Sequence, residues 1–189
     1  MGKLQFYPVT SRRWKDLEAL FGARGACGGC WCMVWRRKPS DWQREKGSGN
    51  KRALKSLVSK GIVPGIIAYS GRTPIGWCSI APREDFQFLD RSRVLARIDT
   101  AQVWSVSCLF VARENRGKGI SVELLRAAAA YVKKQGGAIV EGYPTVPYAE
   151  KIPDAFAWTG TATAFERAGF TVAARRSRSR PIMRCVLSH

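Results

Sequence analysis

The residues best placed to do chemistry lie between positions 109 and 121. Leu109, Phe110 and Val111 end an apolar run there, and Arg116, Gly117, Lys118, Gly119, Ile120 and Ser121 open an amphipathic one. A turn that leaves a strand and starts a helix presents unpaired backbone N–H groups at the positive end of the helix dipole, where a pyrophosphate can be held without side chains. Gly117 and Gly119 suit that role because, lacking Cβ, they let phosphate oxygens approach the main chain, while Arg116 and Lys118 add charge around it. The competing reading is an ordinary glycine-containing connection with surface cations. Two other phosphate loops fit less well. A dinucleotide fingerprint needs a small residue where Val122 stands, although Glu141 at the end of the next apolar run mimics its ribose-binding acid. A Walker loop needs Ser or Thr after Gly117-Lys118, where Gly119 stands, and a leading glycine where Ala112 stands.

Cys27, Cys30 and Cys32 form a second concentration, a C-x-x-C-x-C run in a glycine-rich stretch. A structural zinc site usually takes four ligands in two spaced pairs. The other cysteines, Cys78, Cys108 and Cys185, fall in apolar runs and the only histidine is His189, so no metal site is expected. A chain of 189 residues that is 46% hydrophobic can bury a core without a disulfide framework, and the thiols are expected to be free.

The elements that must position these residues follow from periodicity. Trp14, Leu17, Leu20 and Phe21 predict a first helix, with Thr10 and Ser11 as candidate caps. Leu54, Leu57 and Val58 predict a second over 50–60, stopped by Gly61. The segment 30–35, rich in Trp and sulfur, fits core packing without a defined element. Residues 65–69 and 74–80 read as a hairpin, and 103–112 as a buried strand. Ile120, Leu124, Ala127, Ala128 and Tyr131 predict a long helix over 118–135, closed by Gly136-Gly137. The strand at 138–142 should then lie parallel to 103–112 through a right-handed crossover. A proline-punctuated loop at 144–153, a short helix at 161–168 and strands at 170–173 and 182–187 complete one α/β domain over 1–189 with a mixed sheet.

Charge bounds the partners. The formal net charge is +18, from 32 Lys and Arg against 14 Asp and Glu, so the surface should attract polyanions. Basic residues interleaved with Trp14, Trp31, Trp35 and Trp42 keep a nucleic-acid-associated binding module in view as a second class of function. No apolar run approaches the roughly 18 residues that cross a bilayer, and the first residues carry no apolar signal core, so a cytoplasmic location without membrane contact is expected.

Residues 111–125 resemble the acetyl-CoA-binding motif of the GNAT (GCN5-related N-acetyltransferase) superfamily, whose core reads Q/R-x-x-G-x-G/A. The chain supplies Glu114-Asn115-Arg116-Gly117-Lys118-Gly119, with Glu at the first position. Phe165-Glu166-Arg167-Ala168-Gly169-Phe170 is similar to the F/Y-E-K-x-G-F close of the family's last helix, and the element order from about 65 to 172 agrees. The resemblance implies a GNAT-like mixed sheet: N-terminal helices and a hairpin, a βαβ coenzyme-binding unit, and a C-terminal helix-strand segment. It implies acetyl-CoA as co-substrate, its pantetheine arm along Leu109, Phe110 and Val111, and its pyrophosphate wrapped by residues 116–121. The acceptor would be a small-molecule or peptide amine.

The resemblance also implies that two strands splay to admit the thioester, which puts Glu141 beside the cleft as first choice for general base, with a salt bridge as its alternative role. Glu84 and Asp85 are second choices. A backbone N–H near Val111 would meet the oxyanion. Many relatives carry Tyr in the last helix to protonate the leaving thiolate; here that position is Phe165, so either the thiolate departs with water's help or another group, Tyr143 or Tyr148, serves. Both lie in the loop 143–160, which is longer than usual, and long loops are commonly functional.

Overall fold

The computed structural model describes residues 3–146 and 158–188. Seven strands form one sheet in the order β1-β2-β3-β4-β5-β7-β6. They are β1 (Leu4–Pro8), β2 (Gly65–Ser70), β3 (Thr73–Pro82), β4 (Trp104–Val111), β5 (Ile139–Gly142), β6 (Thr171–Ala174) and β7 (Ile182–Val186). The helices are α1 (Trp14–Phe21), α2 (Pro39–Arg44), α3 (Ser48–Ser59), α4 (Ile120–Lys134) and α5 (Ala162–Arg167). Among these seven strands the pairings are antiparallel except β4 with β5, which the α4 crossover makes parallel, and an isolated parallel bridge joins Thr145 to Thr161. The expected hairpin, the βαβ unit and the helix-strand close are all present.

Alternation along the central strands sends side chains to two cores. Ile66, Ala68, Cys78, Ile80, Val106 and Val140 face the helix α4, whose Leu124, Leu125, Ala128 and Val132 come at helical spacing. Ile67, Tyr69, Trp77 and Cys108 face the opposite way, against α1 and α3 through Leu17, Phe21, Leu54 and Val58. Phe21 meets the rings of Trp77 at 5.8 Å and Phe110 at 5.7 Å, edge to face. Each such fully buried large side chain stabilises the fold by roughly 1.5–3 kcal/mol.

Two elements were not expected from sequence. β1 is an edge strand paired with β2 from Leu4↔Ser70 to Pro8↔Ile66, and α2 opens on Pro39, whose missing N–H costs nothing in the first turn. Thr10 makes no side-chain cap; residues Ser11–Arg13 form a short 3-10 turn into α1 instead. The segment around Trp31 folds as turns, with Trp31 and Cys32 at φ +46° and +52°. This conformation is held by packing: Trp31 is buried between Trp14 and Phe21, with ring centroids 6.0 and 5.3 Å away. No helix among the described residues is long and apolar enough to cross a membrane.

Candidate functional site

β4 and β5 pair only from Trp104↔Val140 to Val106↔Gly142, and beyond that point they part. The opening is entered by the segment that follows the loop. Leu109 donates its N–H to the Trp158 carbonyl at 2.7 Å, and Thr145 donates to Gly160 at 2.8 Å. Phe165 of α5 sits behind the opening, fully buried and edge to face with Phe170 at 4.9 Å. A Cβ on Gly142 would overlap the Phe165 ring, and one on Gly160 would lie 2.9 Å from it. The position where a tyrosine was sought is therefore a packing wedge that requires glycine on both sides.

Between the free edge of β4 and the N-terminus of α4 lies a cavity of about 540 Å³. Leu109, Phe110, Val111, Arg116, Gly117, Gly119, Ile120 and Ser121 line it, as the sequence reading places them, together with Ala26, Cys27, Asn115, Trp158 and Thr161. Lys118 does not; its Nζ turns back to the Glu114 carbonyl at 2.8 Å. Gly117 and Gly119 have φ of +73° and +77°, in the left-handed region glycine favours, and space beyond each Cβ position is open. Among the described residues, the N–H groups of Gly117, Lys118, Gly119, Ile120 and Ser121 have no hydrogen-bond partner. These residues fit a pyrophosphate: unpaired donors at the positive end of a 15-residue helix, around a turn no Cβ obstructs.

The β4 edge offers a further donor. Ala112 donates to Ile75 at 2.9 Å across the ladder, so residues 110 and 112 face β3 while 109 and 111 face away. With the Leu109 N–H taken by Trp158, the N–H of Val111 is the one directed at the cavity. Its carbonyl accepts from Arg116 Nε at 3.0 Å, which ties the turn to the strand.

A second cavity of about 260 Å³ shares Ala26, Cys27, Leu109, Phe110 and Trp158 with the first. Cys30, Cys32, Cys108, Val34, Trp42 and Lys46 extend it. Cys32 Sγ lies 3.2 Å from Cys108 Sγ and accepts from Trp77 Nε1 at 3.2 Å. Hydrogen bonding with Cys32, then burial, pushes the Cys30 thiol far above the usual range, and the bond that Cys32 donates to Cys108, with burial, pushes Cys32 up as well. Among the described residues no three His, Cys, Asp or Glu side chains are grouped to hold a metal ion.

The acid and base candidates lie elsewhere. Glu141 is 1% exposed. Its Oε1 accepts from Arg83 Nη1 at 2.7 Å and from the Tyr143 hydroxyl at 2.8 Å, and its Oε2 accepts from Arg184 Nε at 2.7 Å. Arg184 also clamps Asp99 with bonds of 2.6 and 3.0 Å. Tyr143, equally buried, adds a bond to Ser105 at 2.8 Å and one from Arg83 at 2.5 Å. Burial, then the adjacent Glu141 charge, pushes its hydroxyl well above the usual phenol range. Neither Glu141 nor Tyr143 lines either cavity. Glu84 pairs with Arg97 at 2.6 Å and Asp85 with Arg36 at 3.1 Å. Tyr148 falls among residues 147–157, outside the described residues. Among the described residues, no Asp, Glu or His lines either cavity.

Sequence reasoning missed Ala26, Cys27, Trp158 and Thr161 as cavity walls. The glycine-rich stretch before Cys30 was the one local signal for the first pair, since such a stretch lets backbone approach closely. For Trp158 the signal is the length of the loop 143–160 in which it stands.

Residues 31–149, well over half of the chain, match the model of the acetyltransferase (GNAT) family. No curated protein sequence matches the chain. Among solved structures, a GNAT-family acetyltransferase from Streptococcus agalactiae superposes with a TM-score of 0.58, covering 98% of this chain and 96% of its own at 10% identity. The paia N-acetyltransferase of Thermoplasma acidophilum, solved in complex with coenzyme A, gives 0.52 with 98% and 99% covered at 17% identity. The yncA protein of Salmonella typhimurium, solved with its cofactor acetyl-CoA, gives 0.54 with 98% and 95% covered at 12% identity. At such identities the likeness is one of fold.

Proposed function

This chain belongs to the GNAT acetyltransferase family, and from that premise we propose that it is an N-acetyltransferase moving an acetyl group from acetyl-CoA to a primary amine. The observation that carries the reading is the run of N–H groups from Gly117 to Ser121 without a partner among the described residues, in a turn whose Gly117, Gly119, Ile120 and Ser121 line a cavity that extends to the free edge of β4. Acetyl-CoA supplies an activated acetyl group: a C–N bond forms at its carbonyl carbon, the C–S bond breaks, the amine gives up a proton and the sulfur leaves as a thiolate that takes one up.

In this reading residues 116–121 hold the pyrophosphate, and the β4 edge at Leu109, Phe110 and Val111 aligns the arm. The Val111 N–H, aimed at the cavity, is the donor for the developing oxyanion, an interaction worth about 2.7–4 kcal/mol where single donors have been removed from such sites. With no carboxylate or imidazole among the described residues of the cavity walls, the amine in this reading arrives already neutral. A thiol of ordinary pKa near 8.5 leaves as thiolate without a dedicated acid. Glu141 and Tyr143 act at one remove, holding β5 in place. The single sheet from Leu4 to Val186 supports treating the whole chain as one acyltransferase domain.

The nucleic-acid reading draws less support. Trp14 and Trp31 are buried and cannot stack on bases, which leaves the half-buried Trp35 and Trp42 and the +18 charge as its motives. Isothermal titration of the purified protein with acetyl-CoA and with CoA tests the proposal. Binding in the micromolar range is expected, and no heat at near-millimolar ligand would end it.

A further inference from the structure

The smaller cavity meets the coenzyme cavity at Cys27, Leu109, Phe110 and Trp158, the position from which an acceptor nitrogen would reach the thioester. At about 260 Å³ it falls below the roughly 300–1,000 Å³ of drug-sized ligand sites, so it takes one side chain rather than a whole molecule. Val34, Trp42, Phe110 and Trp158 make its walls apolar and aromatic. Trp42 Nε1 is buried with no partner, an unused donor at the wall.

Its outer rim is positive. Lys46 Nζ sits 4.7 Å from the Trp42 ring centroid and Arg180 5.8 Å from that of Trp158. A further opening of about 320 Å³ shares Val34 and Trp42 and carries Arg91, 4.8 Å above Phe88. Among the described residues none of Lys46, Arg91 and Arg180 is ion-paired. Among the described residues no carboxylate lines any of the three spaces. Lys46, Arg91 and Arg180 would repel a polycationic acceptor.

With no base among the described cavity residues, the amine's own basicity narrows the acceptor further. An amine that must arrive neutral is favoured by low basicity. At pH 7.5 roughly a third of a peptide α-amine (pKa about 7.7–8.0) is neutral, against roughly 0.1% of a lysine amine (pKa about 10.4).

Resting on the acetyl-CoA reading above, we propose that the acceptor is the α-amine of a short peptide or peptide-like molecule. Its first side chain is bulky and apolar and fills the Trp42–Trp158 cavity, and the group that follows is anionic and meets Lys46. The α-nitrogen then stands at the Cys27–Phe110 junction, facing the thioester.

Thiol release is measured at saturating acetyl-CoA and pH 7.5 with three probes: Phe-Glu amide, Phe-Lys amide and Nα-acetyl-lysine amide. In kcat/KM, Phe-Glu amide should exceed Phe-Lys amide about tenfold, from the reversed charge at the rim, and Nα-acetyl-lysine amide by about 100-fold or more, from the neutral fraction. Lys46→Ala should raise KM for Phe-Glu amide about fivefold with kcat kept, and Trp42→Ala should raise KM for both Phe dipeptides. Equal or better use of the lysine probe, or a Glu/Lys ratio untouched by Lys46→Ala, overturns the inference. So does a protein that binds acetyl-CoA by titration yet turns over none of the dipeptides. If acetyl-CoA itself does not bind, the coenzyme reading falls and this inference with it, and titration without acceptor tells the two failures apart.

Discussion

Replacing Glu141 by glutamine separates a base from a clamp. The carboxylate accepts three hydrogen bonds, from Arg83, Tyr143 and Arg184, and its side chain is 2% exposed. Glutamine keeps the volume but removes the counter-charge, and its NH₂ would face donors. Removing one partner of a buried ion pair costs about 3–5 kcal/mol. Arg83 retains Asp90 at 2.6 Å and Arg184 retains Asp99, so the lower end, about 3 kcal/mol, is expected. For a chain of this size that lowers Tm by about 6–12 °C, readable by calorimetry.

Activity should behave differently. Below the new Tm, the folded Glu141→Gln protein should keep kcat/KM within about threefold, with the same pH profile, because no cavity wall includes Glu141. A general base would instead lose about 10²–10⁴-fold. An unchanged Tm with a 100-fold fall in kcat and a lost pH dependence would refute the clamp and restore the base.

Other perturbations probe the rest of the site. Gly119→Ala should lower stability by about 1 kcal/mol for its positive φ and weaken acetyl-CoA binding at least about tenfold, since its methyl enters the cavity. Gly136→Ala at the far end of α4, with φ +79° and equally open space, is its control and should leave affinity unchanged; equal loss in both would remove the cradle from the argument. Gly142→Ala drives a methyl into Phe165 and should cost about 1–3 kcal/mol in urea unfolding, eased by adding Phe165→Leu; a neutral single variant would contradict the wedge. The rate should rise about tenfold per pH unit up to the acceptor's own amine pKa and shift when an acceptor of different basicity is used, whereas a limb fixed near one pH for all acceptors would reveal an enzyme base. Hydrogen bonds from Arg97 and Arg184 hold Glu84 and Asp99 below the usual carboxylate range. Such depressed groups stabilise the fold above their unfolded pKa near 4, and that contribution is lost as pH falls through the folded value. Urea midpoints should therefore stay level from pH 7 to about 5 and drop below about 4, less so for Asp99→Asn; a gain on acidification would reverse the assignment.

The parts of the molecule legible in sequence are those that local periodicity or backbone chemistry encodes. α4 announced itself through Ile120, Leu124 and Ala128, and the coenzyme cradle through Gly117 and Gly119, because a positive φ is a demand made at one position. β1 was not legible: five residues ending in Pro8, with Leu4 and Phe6 half-buried, alternate too briefly to stand out. The walls of the smaller cavity come from Cys27, Trp42, Cys108 and Trp158, which only the folded topology brings together. Glu141 shows the sharper limit. Its place at the end of β5 was readable, but whether a carboxylate there meets a substrate or two guanidinium groups depends on Arg83 and Arg184, which lie 58 and 43 residues away.

That placement follows from what an opened sheet requires. Where β4 and β5 part, the ladder that would fix β5 against its neighbour stops after three residue pairs. The ladder to β7 holds the other side of β5 over its whole length, and a tie toward β3 keeps the β4 side from closing or sliding. Arg83 stands just past the end of β3 and Arg184 lies within β7 opposite Glu141, so one carboxylate ties β5 to strands on both sides. A carboxylate whose two oxygens are taken by two guanidinium groups and a hydroxyl faces those donors rather than the cavities. In the proposed reaction the chemistry left to the opening is then main-chain chemistry: the N–H of Val111 for the oxyanion, the N–H groups of the α4 turn for the phosphates, and the alignment of an amine that brings its own neutral nitrogen.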